Sequence, residues 1–110
     1  MTSVGVDRAG LLPAAALFRS LGDPARLAIL RRLAAGPARV TDLVAALGLA
    51  QSTVSKHLAC LRGCHLVDSE PVGRASVFRL TQPSVVELLA AAESVLAATG
   101  NAVALCPTCD

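Results

Sequence analysis

The pattern that most constrains this chain lies between Thr41 and Arg62. Leu43 and Leu47 stand four apart, Gly48-Leu49-Ala50 interrupts, and Val54, Leu58 and Leu61 then recur at i, i+4 and i+7. The leucine pair marks the inner face of a short helix and the triplet a tight turn. The last three residues form the buried stripe of a second helix, so the segment closes into a compact V. Opposite that stripe, Gln51, Ser52, Ser55 and Lys56 lie together near the start of the second helix, with Arg62 further along. Short polar side chains on an exposed helix start suit entry into the DNA major groove. There Gln reads adenine edges, while Ser and Lys bond bases or phosphates. A helical hairpin with a merely solvated polar face would show much the same residues.

The flanks carry equally local signals. Leu12 to Leu21 is apolar with Arg19 on its polar side, and Gly22 closes it. Asp23-Pro24 supplies an N-cap and a first-position proline for a helix running to about Ala35, with Leu27, Leu30 and Leu33 inward and Arg31 and Arg32 outward. Gly36-Pro37 stops it, and Thr41 is expected to cap the short helix Asp42–Leu47. The second helix of the V spans Gln51 to about Cys64. The period then changes to alternation. Leu66–Glu70 and Ala75–Thr81 read as two strands joined by Pro71-Val72-Gly73-Arg74, a wing with Arg74 at its tip for phosphate or minor-groove contact. A last helix, Val85–Ala98, ends at Gly100-Asn101.

The expected fold is mainly α with a β-hairpin, a winged helix-turn-helix ordered α-α-α-α-β-β-α. Residues 1–101 form the DNA-binding and dimerisation domain, and 102–110 a cysteine-containing tail. The 110 residues fit a single domain; 54% are hydrophobic and only 2% aromatic, so the core is thin and a second copy would complete it. Leu11–Phe18 and Leu88–Ala98 fall short of the roughly 20 apolar residues a bilayer span needs, which argues against a membrane partner. The stretch Ala9–Phe18 is read as a first helix rather than a leader, and the protein as cytoplasmic.

In a reducing compartment, cysteines more often bind metals or sense redox state than form structural disulfides. All four here fall into two close pairs. Cys60 and Cys64 are i, i+4 on the second helix of the V, a spacing that places their Cβ atoms about 5–6 Å apart on one face. Rotamer choice then brings two sulfurs within reach of one tetrahedral ion. Cys106 and Cys109 form a CxxC near the chain's end, where burial as small hydrophobes is not an explanation. Thiolates without carboxylate partners select soft or borderline ions: Cd(II), Pb(II), Zn(II), Cu(I) or As(III). His57 and His65 flank the first pair as weaker ligand candidates, His57 being expected to pack beneath its helix.

Two stretches resemble the ArsR/SmtB family of metal-responsive repressors. One is Leu43-Val-Ala-Ala-Leu-Gly-Leu-Ala-Gln-Ser-Thr-Val-Ser-Lys-His-Leu58 with Leu61-Arg62 and Leu66-Val67. The other is Ser20-Leu-Gly-Asp-Pro-Ala-Arg-Leu-Ala-Ile-Leu30. The resemblance implies a homodimer joined through its first and last helices, binding an inverted-repeat operator in double-stranded DNA and released by an inducer. Within that family the Cys60/Cys64 placement resembles the CmtR-type cadmium/lead sensors, which pair two recognition-helix cysteines with one from the C-terminal region. Carried over, Cys60 and Cys64 are core ligands, and either Cys106 or Cys109 supplies the third from its own or the partner subunit. Cd(II) or Pb(II) is then the inducer, with Zn(II) or As(III) as other soft candidates. Two positions depart from the family pattern. Ala50 stands where a Ser or Thr usually caps the recognition helix, and His65 where a glycine usually ends it.

Other classes fit less well. A thiol oxidoreductase wants its CxxC at a helix N-terminus within an α/β fold, so Cys106-Pro-Thr-Cys109 does not make this chain an enzyme. A repressor released by disulfide formation is the alternative, and a plain dimerisation module would bind no DNA.

Overall fold

The computed structural model describes residues 7–101 and Leu105. A 3-10 turn at Ala9–Leu11 leads into α1 (Leu12–Leu21). α2 (Pro24–Ala34) opens on Asp23, whose Oδ1 accepts from the amides of Ala25 at 2.8 Å and Arg26 at 3.1 Å. A two-residue strand, β1 (Ala38–Arg39), precedes α3 (Val40–Leu47). Gly48 then adopts φ 69, the left-handed conformation that turns the chain into α4 (Gln51–Gly63). The wing is β2 (Val67–Val72) and β3 (Ala75–Leu80), and α5 (Ser84–Ala98) closes the order.

The architecture is the expected winged helix-turn-helix with one added strand. β1 pairs antiparallel with β3, Ala38 facing Phe78, so the sheet runs β1-β3-β2. Two residues show no alternation, which hides such a strand from periodicity. This pairing also corrects the start of α3. Arg39, not Thr41, is the N-cap, and Asp42 Oδ2 accepts from the Arg39 amide at 2.9 Å. With Asp42 already reaching back to that donor, no hydroxyl at Thr41 is required. The hairpin is tighter than expected: Val72 pairs with Ala75, leaving only Gly73-Arg74 as the turn, with Gly73 at φ 63. Pro71 is tolerated because β2 lies at the sheet edge.

The core gathers on α2. Ile29, Leu30 and Leu33 meet Leu43 of α3, the stripe Val54, Leu58 and Leu61 of α4, Val67 and Phe78 of the wing, and Val85 and Leu89 of α5. Ile29 takes the fully buried place expected of Leu27. Leu27 is half-buried and lines a groove with Phe18, Leu21, Leu88 and Val95, of which Phe18 and Val95 stay more than 60% exposed. No helix among the described residues is long and apolar enough to cross a membrane.

Candidate nucleic-acid interface and thiol site

Burying Val54, Leu58 and Leu61 turns the opposite face of α4 outward. Gln51, Ser52, Ser55 and Lys56 are all exposed there, within the first two turns. Ala50 provides no side-chain cap, so the first-turn amides of α4 and their positive dipole end face outward beside these residues.

Arg62 occupies a different setting. Its Nη1 donates to Ser69 Oγ of β2 at 2.9 Å, and its guanidinium lies 5.9 Å from the centroid of the Phe78 ring on β3. It ties the recognition helix to the wing, two contacts that no helical periodicity announces. Arg79 is likewise engaged: it forms ion pairs with Asp68 at 3.8 Å and with Glu70, offsetting one of the two negative charges on the strand that faces it. Arg74, exposed in the wing turn, forms no ion pair among the described residues.

Cys64 is the C-cap of α4 and His65 adopts φ 61; the His65 amide donates to the Arg62 carbonyl at 3.0 Å and the Leu66 amide to the Leu61 carbonyl at 3.0 Å. This is a Schellman closure with histidine at the position that favours glycine. It holds Cys64 half-buried against the core, while Cys60, one turn earlier, is exposed. Both thiols are free. Cys64 Sγ lies 2.8 Å from Ser20 Oγ on α1, a contact between residues 44 apart that sequence reasoning did not find.

Among the described residues, no three His, Cys, Asp or Glu side chains gather around one point. Cys60 and Cys64 are the two free thiols among the described residues, and no third such side chain is placed beside them. Cys106 and Cys109 lie outside the described residues, but the residue just before them is placed. Leu105 sits in the α1/α2/α5 groove, and its amide donates to Glu93 Oε1 of α5 at 3.1 Å. His57 is half-buried, and the Arg26 and Ala25 amides hold the Asp23 carboxyl below its usual range.

A helix-turn-helix with its polar face outward, followed by a two-stranded wing in a three-stranded sheet, defines a winged-helix DNA-binding protein. The chain belongs to the ArsR family of transcriptional regulators, which are not enzymes: residues 23–69 match the model described as "Bacterial regulatory protein, arsR family". It is 39% identical over 87 residues to the HTH-type transcriptional regulator NmtR of Mycobacterium tuberculosis, covering 79% of this chain and 72% of NmtR. To CmtR of Mycobacterium bovis it is 43% identical over 75 residues, 68% of this chain and 64% of CmtR, so it spans just under two thirds of that relative. Among solved structures, the cadmium metal-sensor CmtR from Mycobacterium tuberculosis superposes with TM-score 0.64 at 40% identity, over 74% of this chain and 85% of that one. The homodimeric winged helix-turn-helix DNA-binding domain Mb0332 of Mycobacterium bovis gives 0.77 at 26% identity, over 89% and 91%.

Proposed function

We propose that this protein is a repressor that binds operator DNA as a homodimer and is released when a soft metal ion binds cysteine thiolates. Gln51, Ser52, Ser55 and Lys56 read the major groove, and Arg74 contacts phosphate or the minor groove. The observation that carries this reading is the placement of Cys60 and Cys64 on the helix that bears those polar residues. Arg62, braced to the wing, transmits helix orientation more than it reads DNA. Cd(II) or Pb(II) is the favoured inducer because the two placed donors are both sulfur, and a relative of this chain is named a cadmium sensor. The third thiolate comes from Cys106 or Cys109. Cys60 and Cys64, sharing one ion with a tail thiolate, would draw the C-terminal half of α4 toward that tail and change the orientation of its reading end. A two-fold dimer must present two such ends about one helical turn of DNA apart, so a small reorientation costs contacts in both half-sites. The exposed groove along α1 and α5 supports dimerisation through those helices.

The test is fluorescence anisotropy of the protein on its own upstream promoter DNA in reductant, titrated with Cd(II) and Pb(II), for the wild type and Cys60→Ser. Release of the wild type alone by stoichiometric metal supports the reading. Release by mild oxidant, with neither metal active, replaces it with a disulfide switch on the same thiols.

A further inference from the structure

Ser20 is the single buried polar side chain among the described residues, 4% exposed. Its Oγ lies 3.0 Å from the Ala16 carbonyl of its own helix and 2.8 Å from Cys64 Sγ. A helical serine commonly bonds the carbonyl four residues back; the sulfur is the additional partner. The backbone at this point is held too. Arg26 of α2 donates from Nε to the Ser20 carbonyl at 2.6 Å and from Nη2 to the Arg19 carbonyl at 3.0 Å. Three helices thus meet at one residue: α1 owns it, α2 grips its carbonyl and α4 presents Cys64 to its hydroxyl.

We propose that Ser20 is a positioning residue for the thiol site, fixing the Cys64 sulfur against α1 and becoming its outer-shell hydrogen-bond donor when metal is bound. The inference rests on Cys64 being a ligand, as argued above. A metal-bound sulfur carries no proton and only accepts, so the single hydroxyl proton of Ser20 turns from the Ala16 carbonyl, its acceptor in the metal-free protein, to the sulfur. Such outer-shell donors orient ligands and commonly alter metal affinity by about 10–100-fold when removed. Because Arg26 anchors the same residue to α2, movement of Cys64 toward a metal is felt first at the end of α1.

The experiment compares the full-length wild type with Ser20→Ala and Ser20→Thr. Cd(II) affinity is measured by competition with a chromophoric chelator, and Co(II) reports the sulfur-to-metal charge-transfer band. A hydrogen bond lowers the energy of the sulfur lone pair, so losing it moves that band to longer wavelength. Ser20→Ala is expected to bind Cd(II) about tenfold more weakly, with a red-shifted Co(II) band and unchanged metal-free affinity for DNA. Ser20→Thr, which keeps the hydroxyl, restores affinity and band. Wild-type affinity and band in Ser20→Ala overturn the proposal, as does a folded Ser20→Thr that behaves like Ser20→Ala. Metal-free DNA binding reports folding, and if Ser20→Thr fails it the band in Ser20→Ala decides alone. A wild type with no thiolate charge-transfer band removes the thiol site itself, and this proposal with it.

Discussion

Arg62, near the end of the recognition helix, donates to Ser69 of the first wing strand at 2.9 Å while its guanidinium covers Phe78 of the second. These two contacts brace the helix against the wing. Arg62→Ala removes an exposed hydrogen bond and an exposed cation–π contact, together worth about 1–2 kcal/mol. A midpoint shift in urea unfolding checks that loss. If Arg62 serves as brace rather than phosphate contact, the variant binds DNA more weakly but keeps the wild-type slope of log K against log salt.

Lys56 and Arg74 behave differently. Each stands exposed, Lys56 on α4 and Arg74 in the wing turn, and neither forms an ion pair among the described residues. Replacing either with Ala is expected to lower the salt slope by about one, because one counterion fewer is released. Gln51→Ala is expected to leave the slope intact and to reduce discrimination at one base pair by about 1–3 kcal/mol. Anisotropy on operator and single-substitution operators at several salt concentrations separates the two kinds of loss.

What was legible in the sequence was what local chemistry determines. Asp23-Pro24 and Gly48 announce helix boundaries through capping and left-handed φ, and the Val54, Leu58, Leu61 stripe assigns the outward face of α4. Arrangements that need strand register or distant contact were not legible. β1 exists only because Ala38 finds Phe78, and the Asp68–Arg79 pair only because the hairpin turns at Gly73-Arg74 rather than over four residues. Ile29 displaces Leu27 from the core because the groove between α1 and α5 claims one side of α2. The Ser20–Cys64 contact joins two helices whose packing no sequence spacing encodes.

His65 holds a left-handed φ of 61 in the turn that closes α4. Residues with a Cβ lose about 1–2 kcal/mol in that conformation, whereas glycine does not. His65→Gly is expected to stabilise the protein by about 1 kcal/mol, less whatever glycine's freedom returns to the unfolded chain. Chemical denaturation reads the gain, and Cd(II) affinity reads the side chain's role. Unchanged affinity excludes the imidazole as a ligand; weaker binding assigns it one.

Asp23 gives the fold an acid-sensitive joint. The Arg26 and Ala25 amides hold its carboxyl below the ordinary value of 3.8 in the folded state. Folding is therefore favoured by this group above that value, and the contribution is lost as pH falls through the folded pKa. Asn caps a helix about as well as Asp but does not titrate. The melting temperature of Asp23→Asn relative to wild type should therefore rise as the solution is acidified through this range. A constant difference would show that the cap contributes equally in both protonation states.

Cys60 and Cys64 are free thiols at the C-terminal end of α4, and Leu105, the residue before Cys106 in the chain, is seated in the groove lined by α1, α2 and α5. Every thiol that becomes a ligand releases a proton, so apparent metal affinity weakens as pH falls. With three thiolates bound from protonated thiols, log K for Cd(II) rises by about three per pH unit. Cys60→Ser should reduce that slope by about one and lower affinity at every pH. The same measurement sorts the tail. If Cys106 is the third ligand, Cys106→Ser loses one proton of slope and Cys109→Ser none; the reverse pattern assigns Cys109. Equal, partial losses show the two exchanging on one ion. A slope near one in the wild type would remove the multi-thiolate site, and with it the route from metal to the reading face of α4.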